Sequence, residues 1–188
     1  MKKMNKCEHG YIKWEKQKKL MAVILYVIIG VAIFVTGYLL NDHSKSNVFT
    51  VVAVVLVLPA AKHAVAFIIL APYHTLAEDA FQNVIGHLPP EAVVLTDYVF
   101  TSPEKVMGLA YLMLYEGNAI GLVANDKQEL NYMNTYLGKG IHDLSPNYHV
   151  KIVADETDFL RLCDKANHVE ITDKQQEAVE AWVRSLAV

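Results

Sequence analysis

The stretch LMAVILYVIIGVAIFVTGYLL (residues 20–40), followed seven residues later by VFTVVAVVLVLPAAKHAVAFIIL (residues 48–70), decides the architecture of this 188-residue chain. An apolar run of about 20 residues matches a hydrocarbon core roughly 30 Å thick at about 1.5 Å rise per residue. Lipid offers no hydrogen bonds to the backbone, so each run is expected to be a helix, and the short connection makes the two a hairpin. The expected organisation is a basic segment over residues 1–19, a transmembrane hairpin over residues 20–71, and an α/β domain over residues 72–188.

Charge is divided along the same lines. Residues 1–19 hold seven lysines against Glu8 and Glu15, a net of +5, whereas residues 72–188 hold 17 acids against eight Lys or Arg, a net of −9. Lys45 is the single lysine of the loop over residues 41–47. Lysine flanks stay in the cytoplasm. Both termini are therefore expected on the cytoplasmic side of an inner (plasma) membrane that the chain crosses twice. Tyr11 and Trp14 are the expected interface anchors. The first apolar run is longer than a signal-peptide core and lacks a small-residue cleavage motif, so it is expected to be retained. Cys7 and Cys163 would face a reducing compartment, where a structural disulfide is not expected. The acidic domain is a poor holder of nucleic acid, because phosphate binding needs clustered Lys and Arg.

The second run is interrupted by Pro59, Lys62 and His63. Pro59 removes a backbone donor and is expected to kink the helix. A lysine near a helix centre costs about 2.5–3.5 kcal/mol on insertion scales. Three readings of Lys62 follow: it reaches the headgroups, meets a carboxylate or carbonyl of a partner helix, or lines a water-filled path in an oligomer.

Beyond Pro72 the pattern is well punctuated. Thr75 and Glu78 have capping-box spacing, and Leu76, Ala80, Phe81, Val84, Ile85 and Leu88 share a helical face. Residues 92–101 read as a strand. Residues 109–115 and 119–124 read as two strands joined at Glu116-Gly-Asn118. Asp126 and Glu129 suggest the cap of a helix ending near Gly138 and Gly140. Residues 148–154 read as a fourth strand, residues 157–166 as a short helix, and Thr172-Asp-Lys-Gln175 as the cap of a last amphipathic helix. The fold class expected is thus a membrane-anchored α/β protein: a two-helix hairpin, then an αβββαβ-type cytoplasmic domain with additional C-terminal helices.

This order, over about residues 75–154, resembles the core of the restriction-endonuclease-like fold. The resemblance lies in topology. It implies metal-dependent chemistry built on an acid in the second strand and an acid and a lysine two apart in the third. Here the second strand, Leu109-Ala-Tyr-Leu-Met-Leu-Tyr115, and the third, Ala119-Ile-Gly-Leu-Val-Ala124, carry no charge. The nearest acids are Asp97, Glu116 and Asp126, which are the candidate catalytic residues if any chemistry is retained.

Other candidate chemistry is thinner. Cys7-Glu-His9, even with Cys163 and His168, lacks zinc-ligand spacing. Arg161 and His168 stand in acidic surroundings. Tyr132 and Tyr136 share a helical face and form either a contact patch or a core rim. No cofactor or metal is expected. The leading expectation is a non-catalytic, membrane-tethered protein whose cytoplasmic domain binds a partner protein or assembles with itself. The alternatives are a membrane-anchored metal-dependent hydrolase of degenerate nuclease-like fold, and an oligomeric pore or membrane-disturbing effector using Lys62.

Overall fold

A computed structural model describes residues 4–125, 128–166 and 168–188. The chain forms two compact units: residues 13–72, and the N-terminal residues up to Ile12 together with Tyr73–Val188.

Helix α1 spans Tyr11–Leu40. It starts nine residues before the apolar run because Lys13–Lys19 is itself a good helix former, with Glu15 bridged to Lys18 and Lys19 at 3.4 and 2.9 Å. The basic segment is therefore divided between a loop ending at Gly10 and the first turns of α1. Helices α2 (Val48–Val55) and α3 (Val57–Leu70) follow, broken at Leu56. Pro59 explains the break: it cannot donate to the Val55 carbonyl, and its ring crowds that carbonyl. Asn47 closes the turn, accepting from Thr50 N at 2.9 Å and donating to the Gly37 carbonyl at 3.2 Å. Residues 11–40 and 48–70 are each long and apolar enough to cross a membrane.

The second unit is built on one mixed sheet of β1 (Val93–Thr101), β2 (Val106–Tyr115), β3 (Asn118–Val123) and β4 (His149–Val153), in the order β1-β2-β3-β4. The β1–β2 and β2–β3 pairs are antiparallel and β3–β4 is parallel. The β2–β3 connection is a two-residue turn, Glu116 and Gly117, both at positive φ, with Asn118 already paired to Tyr115. Asn118 is thus a strand residue, not a turn residue.

Helices α5 (Leu130–Leu144) and α7 (Asp173–Leu186) cover one face, packing Met133, Leu137, Ile141, Val179 and Val183 onto Leu95, Tyr98, Leu109 and Leu112. Helices α4 (Glu78–Ile85) and α6 (Glu156–Asp164) cover the other, packing Val84, Phe159 and Cys163 onto Tyr111 and Met113. The outer edge of β1 is closed by Cys7, whose carbonyl accepts from Thr96 N at 3.1 Å, and by Val188, whose N–H donates to the Val99 carbonyl at 2.9 Å. Covering an edge in this way blocks unwanted strand pairing.

Strand β1 does not alternate simply. Leu95 faces the α5–α7 side, and so do Tyr98 and Phe100, three and five residues on. The change of phase sits at Asp97, which has φ +49°. Strand β2 changes phase at the same level, between Leu109 and Leu112. The two strands slip together and keep register with each other, while the β2–β3 register shifts by one between Leu109 and Tyr111.

The Thr75–Glu78 cap and the end of α5 near Gly138 and Gly140 are corrected here, and the Asp126 cap lies outside the described residues. Helix α4 begins at Glu78 behind Ala77 with no side-chain cap, because the Thr75 hydroxyl bonds to Asp97 instead. Helix α5 starts behind Glu129, also without a side-chain cap. It runs through Gly138 and Gly140 to Leu144, held by the buried row Met133, Leu137 and Ile141. The Thr172–Gln175 capping box on α7 is formed as expected.

The two glycines of α5 have opposite roles. Nothing lies within 4 Å of a Cβ built on Gly138, whereas one on Gly140 would sit 2.2 Å from Cη2 and Cζ2 of Trp182. Gly138→Ala is expected to stabilise by about 0.5–1 kcal/mol, the usual helix-interior gain. Gly140→Ala is expected to cost about 1 kcal/mol net, since overpacking outweighs that gain. Thermal melts of the two variants, with a red-shifted tryptophan emission in the second alone, check the contrast.

Candidate functional site

Asp97 is 6 % exposed, and one carboxylate oxygen, Oδ2, receives three donors. These are Gly10 N at 3.0 Å, Ile12 N at 3.1 Å and the Thr75 hydroxyl at 2.6 Å. Gly10 and Ile12 stand at the start of α1, where backbone N–H groups lack helical partners. Asp97 therefore caps α1 from β1 through Oδ2.

Glu116 lies elsewhere. Asp97 faces Ala110, and six residues of β2 at about 3.3 Å each put Glu116 roughly 20 Å away. Its carboxylate lies 3.3 Å from His168 Nδ1, at the rim of a 560 Å³ cleft lined also by Glu91, Tyr115, Asp173 and Gln176. Asp126 lies outside the described residues. The described candidates thus do not converge on one centre. Among the described residues no group of three or more His, Cys, Asp or Glu is placed to hold a metal ion.

The hairpin candidates also separate. Pro59 acts on the backbone at Leu56. His63 turns inward, its ring stacked on Tyr26 with centroids 5.7 Å apart. Lys62 is exposed. Tyr11 is buried in the sheet-bearing unit, its hydroxyl donating to the Val188 carbonyl at 3.3 Å. Trp14 is half-buried on α1 with Lys18 Nζ 4.7 Å from its ring centre, a geometry compatible with the interfacial role.

The arrangement best suited to binding is aromatic. Tyr132 and Tyr136, four apart on α5, stack at 6.3 Å and 6°, and Tyr136 continues onto Phe100 and Tyr98 in the core. The Tyr132 hydroxyl shares a 2.9 Å hydrogen bond with Ser102, and Lys105 Nζ lies 5.0 Å from its ring centre. With Trp182, Thr135, Lys139, Gly140 and Asp143, the two tyrosines line a 330 Å³ groove. Half-buried Tyr and Trp side chains fixed from behind are the type that dominate protein interfaces. The Tyr132/Tyr136 spacing is legible in the sequence. Periodicity turns Trp182 inward, but its place against Gly140 is not legible there.

Both cysteines are buried and free. Burial pushes the Cys163 thiol up to about 12 and the Cys7 thiol up to about 11. Neither is set up as a nucleophile, because the thiolate is the reactive form. Burial also pushes Tyr111 and Tyr148 up to about 12, and Tyr98 upward. These groups keep their protons in the folded chain where the unfolded chain loses them. Stability is thus fully present below about pH 9 and falls as pH rises from about 9 towards 12. A falling denaturation midpoint over that window, with no matching change between about pH 7 and 8.5, is the expected result.

No protein-family model, curated protein or solved structure matches this chain.

Proposed function

We propose that this chain is a non-catalytic, membrane-tethered protein. Its two apolar helices cross an inner (plasma) membrane as a hairpin, both termini are cytoplasmic, and the acidic α/β domain binds a partner protein or assembles with itself. One observation carries the reading. Apart from Leu76, Val106 and Leu144, every described large apolar side chain that is exposed lies between Leu20 and Ile68. Water does not tolerate so long an apolar surface, and hydrocarbon satisfies it. The lysines flanking the first run set the orientation. The Tyr132–Tyr136–Trp182 groove supplies a surface for a partner. The charge-free β2 and β3, and the use of Asp97 as a cap, favour binding over hydrolysis.

Two measurements test it. A cysteine introduced at Ser44 should be labelled by an impermeant maleimide from outside intact cells, and one at Ser185 only after lysis. The protein purified in mild detergent should elute as a homo-oligomer or with a stoichiometric partner. A partnerless monodisperse monomer, or recovery of the full chain without detergent, overturns the reading.

A further inference from the structure

We propose that Lys62 is the docking point for a membrane helix of a partner protein that carries a carboxylate at the same depth. This rests on the membrane reading above and names the chemistry of one partner within it. The exposed ammonium lies far from either end of its own hairpin. Lys16 Nζ donates to the Ala71 carbonyl at 2.9 Å, so Ala71 lies within one lysine side chain of Lys16 at that end of the hairpin. Lys62 is nine residues of helix from Ala71, about 13 Å, and fourteen from Val48, about 21 Å.

The lysine stem does not shorten either distance easily. The Cα–Cβ bonds of α3 tilt towards its N-terminus, away from the level of Lys16, and the other end is the more distant one. The inner side of α3 is occupied. His63 stacks on Tyr26 there, and Ala60 is buried. Lys62 follows Ala61 on the exposed side, with Leu58, Val65 and Ile68 also exposed. This is an apolar stripe with a single positive charge in it.

A second copy of the chain does not complete that charge. Glu15 and Asp42 are the only acids between residues 13 and 72. Glu15 is buried and held by Lys18 and Lys19, and Asp42 lies in the loop beyond α1. Charge complementarity in hydrocarbon therefore requires a carboxylate from a different chain, carried on an apolar helix that lies along the Leu58–Ile68 stripe.

The test uses the full-length protein in phosphatidylcholine vesicles with a synthetic leucine–alanine transmembrane peptide bearing one mid-span glutamate. Its glutamine twin is the comparator, and energy transfer reads association. The glutamate peptide should associate at least about tenfold more tightly than the glutamine peptide. The preference should vanish in Lys62→Leu and persist in Lys62→Arg. Equal association of the two peptides, or a preference that survives Lys62→Leu, overturns the proposal. Loss of the full-length chain from vesicles on alkaline carbonate washing would instead overturn the membrane reading, and this inference with it. Retention without a glutamate preference rejects only the inference.

Discussion

Asp97→Ala is expected to cost about 4 kcal/mol of stability in the sheet-bearing unit, because three donors would lose the one oxygen they share. Those donors are Gly10 N, Ile12 N and the Thr75 hydroxyl. A lost partner costs about 1–3 kcal/mol at a buried donor such as Ile12 N and less at half-buried Gly10 and Thr75, and the three do not add fully because they act on one atom. The backbone contributes a further term. Asp97 sits at φ +49°, where aspartate is tolerated and alanine costs about 1 kcal/mol more. Asp97→Asn, which keeps an acceptor oxygen and tolerates the same φ, should lose only about 1–2 kcal/mol. Asp97→Gly should lose about 1 kcal/mol less than alanine, because it relaxes the backbone without restoring the acceptor. Denaturant titration followed by near-ultraviolet circular dichroism gives the order, and hydrogen exchange at Gly10 and Ile12 reports the cap directly. Full stability and unchanged protection in Asp97→Ala would remove the capping role.

Much of this fold could be read from residue order, and the parts that could not have one cause. Apolar runs, the cap Thr172–Gln175 and the order αβββαβ are local, and they are present in the structure. The order β1-β2-β3-β4 with a parallel β3–β4 pair follows from a helix placed between those strands. What was hidden depends on partners distant in sequence. Asp97 resembles a solvated acid within a strand until Gly10 and Ile12, 87 and 85 residues earlier, arrive beside it. Gly140 looks like a helix stop until Trp182 fills the space its missing side chain leaves. Thr75 has capping spacing to Glu78, yet a buried carboxylate is the stronger partner for its hydroxyl. Tyr11 is amphipathic, and the Val188 carbonyl that takes its hydroxyl lies 177 residues away in sequence.

The same logic makes Gly108→Ala the second large effect. In a strand interior, replacing glycine by alanine ordinarily gains about 0.5–1 kcal/mol. Here a Cβ would lie 2.5 and 2.6 Å from Cε1 and Cδ1 of Tyr73. The ring has little freedom to move, because Tyr73 is 5 % exposed and its hydroxyl donates to the Val106 carbonyl at 3.0 Å, two residues along the same strand. The strand is pinned too. Gln128 bonds both the N–H and the carbonyl of Gly108, at 2.9 and 3.0 Å, and Ala124 N donates to that carbonyl at 3.0 Å. With neither side able to yield, Gly108→Ala should destabilise by about 3 kcal/mol, the upper end of overpacking costs. A double-mutant cycle separates this clash from any intrinsic intolerance of alanine in β2. Tyr73→Ala alone should cost about 3–4 kcal/mol, as expected for truncating a buried aromatic. Adding Gly108→Ala to it should cost nothing further, or gain the ordinary strand increment. If the two losses simply add, the ring and the glycine are not in conflict.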